Sequence, residues 1–136
     1  MADSPRTKAL LEAAREAREN AYSPYSGVKI GAAVVTSKGK IFTGCNVENS
    51  SYGLSCCAER TAIFKSISVG CRDIVAIAVV GETKEFTTPC GACRQVMVEF
   101  NPEMRVLRRG INGFFVETTA GALLPSRFSP KELSNE

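Results

Sequence analysis

The chain has 136 residues, 17 Lys plus Arg against 14 Asp plus Glu, a formal net charge of +3, 44% hydrophobic and 23% charged residues, 6 Cys and no His. That length gives room for one domain, spanning residues 1–136, and the composition excludes both a disordered chain and a minimal scaffold held together by disulfides. The missing histidine removes Ser-His-Asp and Cys-His nucleophile arrangements and imidazole-ligated metals, leaving acid–base work to a carboxylate, a lysine, a tyrosine or a thiol.

Residues 1–19 interleave acids and bases without an apolar run, which predicts neither a signal peptide nor a membrane span and points to the cytoplasm. In that reducing setting the cysteines are expected as ligands, catalytic groups or buried fillers rather than disulfides. Ser4-Pro5 opens a helix whose apolar stripe (Ala9, Leu10, Ala13, Ala14, Ala17, Ala21) runs to the break at Ser23-Pro24. Residues 28–35 and 40–44 read as a β-hairpin around Ser37-Lys38-Gly39, followed by a polar, turn-rich loop over 46–53. Residues 56–69 read as a helix stopped by Gly70, and 73–80 as a strand buried on both faces. Thr88-Pro89 offers an N-cap and a first-turn proline for a helix through about residue 100. Strands at 105–108 and 114–117 flank an Asn112-Gly113 turn, and Leu123-Leu124-Pro125 with a polar tail closes the chain. This order predicts a three-layer α/β/α domain with a mixed sheet of about five strands. The basic trio Arg105, Arg108 and Arg109 is expected as a solvated strand end, since no long basic stripe accompanies it to make a nucleic-acid footprint.

Two segments carry chemistry: Cys57-Ala58-Glu59-Arg60, and Pro89-Cys90-Gly91-Ala92-Cys93-Arg94-Gln95, each at a predicted helix start. The i, i+3 spacing sets Cys90 and Cys93 on one helix face, and helix N-termini favour thiolate over thiol. Cys57 supplies a third sulfur if the two N-termini converge. Three thiolates with an open fourth position describe a catalytic zinc site, whereas four closed ligands describe a structural one. Glu59, two residues after a ligand, is placed to take a proton from water activated by the metal. Arg60 and Arg94 adjoin the ligands, and either guanidinium could draw charge from a sulfur. A lone C-x-x-C fits a redox dithiol, a metal site or a chance pair equally well; the joint pattern of Cys-x-Glu with Pro-Cys-x-x-Cys is that of zinc nucleobase deaminases. Cys45, Cys56 and Cys71 are expected as small buried packing residues, although any of them could close a four-sulfur site.

At these residues the chain resembles the small homotetrameric cytidine deaminases of pyrimidine salvage. The likeness runs from Ala21-Tyr22-Ser23-Pro24-Tyr25-Ser26 through Gly31-Ala32-Ala33 and Gly44-Cys45-Asn46-Val47-Glu48-Asn49 to the two cysteine segments and Leu123-Leu124-Pro125. The resemblance implies one zinc per subunit on Cys57, Cys90 and Cys93, Glu59 as proton shuttle and Arg60 as the partner tempering thiolate charge. It also implies that Asn46 and Glu48 hold the ribose hydroxyls, that the Ala58 backbone meets the pyrimidine, and that Tyr52 and Phe128 belong to a pocket shared between neighbouring subunits. Without the cysteine segments nearby, Asn46 and Glu48 read as residues that satisfy their own loop backbone. Where the family carries a base-stacking phenylalanine, this chain has Val28.

The expected reaction is hydrolytic deamination of cytidine and deoxycytidine to the uridines plus ammonia. A deaminase for a modified cytosine nucleoside such as blasticidin S is the nearest alternative, kept open by Val28. A polynucleotide-editing deaminase lacks a basic groove here. From other classes, a non-catalytic zinc module would require a fourth cysteine, and a thioredoxin-like dithiol explains neither Cys57 nor Glu59.

Overall fold

The computed structural model describes residues 4–82, 87–110 and 112–129. Helix α1, Pro5–Arg18, starts where expected: the Ser4 side chain accepts from Thr7 N at 3.1 Å and Pro5 takes the first helical position. The small-residue stripe continues to Ala21, but the helix does not. Asn20 N and Ala21 N close a tight turn on Ala17 O and Arg18 O, and Tyr22 N then bonds Asn46 O at 3.0 Å.

Strands β1, Gly31–Thr36, and β2, Ile41–Cys45, form the predicted hairpin, with Gly39 at φ +88° in the turn. Residues 28–30 stay outside β1 because the Asn46 side chain takes their backbone groups, as described below. After a single turn at Tyr52–Leu54 come helix α2, Ala58–Ser68, and strand β3, Ile74–Val80. Helix α3 spans Gly91–Phe100, strand β4 Arg105–Arg109 and strand β5 Phe115–Thr119. A short helix α4, Ala120–Leu123, was not expected; the Thr119 hydroxyl caps it by accepting from Ala122 N.

The start of α3 corrects the predicted cap. Cys90, not Thr88, is the N-cap, with extended backbone at φ −72°, ψ 169°, and Pro89 lies before the helix rather than in its first turn. The consequence is that the Cys90 sulfur projects from the helix mouth.

The five strands pair in the order β2-β1-β3-β4-β5, parallel only between β3 and β4, where α3 makes the crossover. This is the expected mixed α/β sheet. All of β1 is buried, and its side chains alternate between two cores. Ala33 and Val35 face Leu10, Leu11 and Ala14 of α1, while Ala32 and Val34 face Ala58, Ala62 and Ile63 of α2. Close backbone approaches set these distances: a Cβ at Gly44 would come within 2.5 Å of Ala62 N and 2.8 Å of Ala58 O. That glycine lets β2 lie directly on the first turn of α2, the turn that carries Cys57 and Glu59. Among the described residues no helix is long and apolar enough to cross a membrane. The polar tail beyond Ser129 lies outside the described residues.

Candidate metal centre and active site

Cys57 is the N-cap of α2, Cys90 the N-cap of α3, and Cys93 sits in the first turn of α3, so the three thiols meet where two helix N-termini converge. Cys57 Sγ lies 3.7 Å from Cys90 Sγ, and Cys90 Sγ lies 3.5 Å from Cys93 Sγ, with all three within 4.8 Å of one another. A tetrahedral zinc with Zn–S bonds of about 2.3 Å spaces its sulfurs about 3.8 Å apart, so the cluster already has the edges of such a site. Cys93 is buried, Cys57 half-buried and Cys90 exposed, which leaves one side open.

Charge in this cluster is uneven. The Cys57 thiol is lowered to about 5, first by hydrogen bonding from Cys93 and then by Arg60 and Cys90 against the cost of burial; Cys93 is raised correspondingly by Cys57 and by burial. Arg60 Nη2 donates to Cys57 Sγ at 3.5 Å, and the thiolate raises the guanidinium in turn. Arg94 does not share that task. Its Nε donates to Pro89 O at 2.8 Å and its Nη1 to Leu123 O at 2.9 Å, so it braces the loop before Cys90 against the end of α4. The expectation that either arginine could draw charge from a sulfur therefore narrows to Arg60.

Glu59 is 4% exposed, beside the sulfurs, and burial raises its carboxyl to about 7, with the Cys57 charge adding to the rise and its own backbone N–H and Arg60 opposing it. Glu59, Cys57 and Cys90 line a cavity of about 330 Å³ together with Val28, Asn46 and Glu48. Ala58 also lines it; as the first residue of α2 its N–H has no partner within the helix. A pocket of that size suits one small ligand.

Asn46 and Glu48 hold loop backbone, one of the two roles the sequence allowed, and they also border the cavity. They reach the cavity, yet their polar atoms hold the adjacent loop: Asn46 Oδ1 accepts from Ile30 N and Nδ2 donates to Val28 O, both at 2.8 Å. Glu48 accepts from Tyr25 N at 2.9 Å, Ser26 N at 3.1 Å and the Ser26 hydroxyl. Val28 is 42% exposed and contributes an aliphatic wall. Tyr52, 73% exposed, stands outside that cavity in an adjoining recess, edge-on to Tyr25 with ring centroids 5.9 Å apart. Phe128, 58% exposed, lines a separate groove with Gln95, Val98 and Pro102 and does not reach the cysteines of its own chain.

Sequence reasoning missed Ser26, Ser55, Thr87 and Thr88, all of which line the cavity. Thr87-Thr88 stands directly before Pro89-Cys90, a position that could have flagged it. Cys45, Cys56 and Cys71 are outside the sulfur cluster as expected but are all partly exposed rather than buried; Cys56 reaches the cavity and its sulfur accepts from Thr61 Oγ1 at 3.7 Å.

Comparison with known proteins gives one family. Residues 4–108 match the cytidine and deoxycytidylate deaminase zinc-binding region. A cytidine deaminase of Halalkalibacterium halodurans is 48% identical over 127 residues, covering 93% of this chain and 96% of the relative. A probable cytidine deaminase of Dictyostelium discoideum is 48% identical over 124 residues, covering 90% and 84%. The crystal structure of a cytidine deaminase from Burkholderia pseudomallei superposes with a TM-score of 0.87 at 56% identity, covering 89% of this chain and 98% of that one.

Proposed function

This chain belongs to the cytidine and deoxycytidylate deaminase family, and from that membership we propose that it is the zinc-dependent hydrolase that converts cytidine and deoxycytidine to uridine and deoxyuridine with release of ammonia. The observation that carries the reading is the spacing of three sulfurs at 3.5 and 3.7 Å beside a buried carboxylate in one small cavity. The donor set fits zinc: Cys57, Cys90 and Cys93 would hold it, and the exposed side of the cluster leaves a fourth position toward the cavity. When bound, zinc supplies Lewis acidity toward water at neutral pH.

The chain's own residues then manage protons and position. Glu59 takes a proton from the attacking water as its oxygen bonds to C4 of the pyrimidine, and delivers protons to N3 and to the departing 4-amino group. The C4–N bond breaks, the water oxygen remains as the carbonyl of uridine, and nitrogen leaves as ammonia. Arg60 limits the negative charge that three thiolates accumulate. Asn46 and Glu48 orient the sugar, the Ala58 N–H meets the pyrimidine, and Val28 packs on its face. Tyr52 and Phe128, both exposed and outside their own chain's cavity, are suited to complete the site of a neighbouring subunit in a homotetramer. We further assign residues 1–136 to one catalytic domain working in the cytoplasm.

A modified cytosine nucleoside such as blasticidin S is a second reading, favoured by the aliphatic Val28 where an aromatic would stack. The test is metal analysis with the absorbance loss of cytidine followed in parallel. One zinc per chain with turnover, retained in Cys45→Ala, Cys56→Ala and Cys71→Ala, supports the enzyme; a zinc protein that turns over no aminopyrimidine nucleoside overturns it. Faster turnover of blasticidin S than of cytidine would move the substrate assignment to the second reading.

A further inference from the structure

Strand alternation disperses the basic trio of β4, and Arg109 has no part in deamination as described. Arg105 is committed to Glu117, at 2.7 and 3.1 Å, and to Thr7. Arg108 faces the other side of the sheet, where Nη1 donates to Thr88. Arg109 shares the α1 side with Leu107 and makes no side-chain hydrogen bond among the described residues.

Arg109 opens instead into a cavity of about 290 Å³ lined by a stripe of α1, Glu12, Arg15 and Arg18, and by Val80, Gly110 and Gly113. Glu12 neutralises one charge by pairing with Arg15 at 2.5 Å, and Arg18 spends one donor on Gly81 O at 2.9 Å. Among the lining residues two positive charges and most of two guanidinium forks remain, with Glu16 and Glu19 acting on Arg15 from outside the cavity. Burial holds Arg109 below the ordinary arginine range, and repulsion from Arg15 and Arg18 adds to this against the pull of Glu12. Arg109, part-buried and facing Arg15 and Arg18, is short of counter-charge, and an oxyanion entering the recess would accept guanidinium forks in bidentate fashion.

We propose that the Arg15–Arg18–Arg109 cavity is a phosphate-binding site, separate from the catalytic centre. A dianionic phosphate balances the two surplus charges, which a single carboxylate does not. The cavity has ample volume for a phosphate group. The site lies on the α1 face of the sheet, whereas the cysteine cluster lies on the α2/α3 face. Occupation therefore has no direct contact with the reacting atoms.

The test is isothermal titration of the zinc-loaded protein at constant ionic strength, with inorganic phosphate and, separately, with ADP, a nucleotide without a 4-aminopyrimidine. Saturable binding of one phosphate per chain, weakened about tenfold or more in Arg109→Met and less in Arg109→Lys, is the expected result. Cytidine turnover in the absence of phosphate should be the same in both variants as in the parent. ADP binding more tightly than phosphate, with the same dependence on Arg109, identifies a nucleotide as the source; equal or weaker binding identifies free phosphate. No saturable binding of either probe to the folded protein, or binding unchanged in Arg109→Met, overturns the proposal.

Discussion

Arg60 reaches back one turn of α2 to donate through Nη2 to the sulfur of Cys57 at 3.5 Å, while its own Nε is buried with no partner among the described residues. The guanidinium thus serves the sulfurs of the cluster, Cys57 first and Cys93 after it. A dication on three thiolates is net negative, which opposes proton loss from water; the guanidinium offsets that excess. Arg60→Gln keeps a donor but removes the charge. A charge-assisted hydrogen bond contributes about 1.5–3 kcal/mol, so kcat should fall about 10- to 100-fold with zinc retained. Metal analysis beside steady-state kinetics checks it, and an unchanged kcat would remove Arg60 from the mechanism.

Glu59→Gln separates proton transfer from architecture. Glutamine fills the same buried volume on α2 but cannot accept a proton from water. Positioned general acid–base catalysis contributes about 10²–10⁴-fold, and here one group serves several transfers, so turnover should drop at least about 10³-fold. Zinc content and the thermal midpoint should change little. Retention of most of the activity would mean that another group moves the protons.

How far these roles were legible from the sequence depends on how local they are. The Ser4 cap, the hairpin and β3 are set by neighbours in the chain, and each lies close to its expectation. Asn46 and Glu48 are different: their bonds to residues 25–30 exist because Tyr22 and Val47 bridge two segments distant in sequence. Arg94 was misread for a related reason. Its direction follows from α3 starting at Gly91 and from the end of α4 arriving beside it, neither of which periodicity could supply.

Glu48 should matter to binding through the loop it anchors. Tyr25 N and Ser26 N, with the Ser26 hydroxyl foremost, hold its carboxyl below the ordinary glutamate range. A lowered folded-state value means the anchorage is complete above the unfolded value and is lost only as pH falls through the lowered one. KM for cytidine should therefore show no step from this group between about pH 5 and pH 8 and should rise only in more acid solution. Glu48→Gln offers one acceptor oxygen in place of two and should raise KM about three- to tenfold, with a smaller effect on kcat. A KM that steps with pH in the parent but not in Glu48→Gln would show that Glu48 titrates in the working range.

Val28 forms the aliphatic side of the cavity, and its backbone is tied at both ends, N–H to Ser26 Oγ and C=O to Asn46 Nδ2. A larger side chain can therefore change the wall without moving the backbone. Base–aromatic stacking contributes about 1–3 kcal/mol per base, so Val28→Phe should lower KM for cytidine about tenfold. It should also slow any bulkier cytosine nucleoside relative to cytidine. A higher KM for cytidine would mean that the cavity is already matched to its base at Val28.

Arg108 and Thr88 supply the last test, because they join the sheet to the loop that presents Cys90. Arg108 Nη1 donates to Thr88 Oγ1 at 2.9 Å, and its Nε is buried with no partner among the described residues. Thr88 lines the cavity and is followed by Pro89, whose carbonyl is held by Arg94, and then by Cys90. The loop is strapped from two sides just before a metal ligand. Arg108→Met keeps the aliphatic stem and removes the strap; Thr88→Val removes it from the other end. Each should raise KM a few-fold and speed zinc loss to a chelator, in line with the roughly 1 kcal/mol that one such bond contributes, while leaving kcat close to the parent's. Because both remove the same bond, the double variant should be little worse than either single one. Fully additive losses would show that the two side chains act independently and that Arg108 does not position the loop through Thr88.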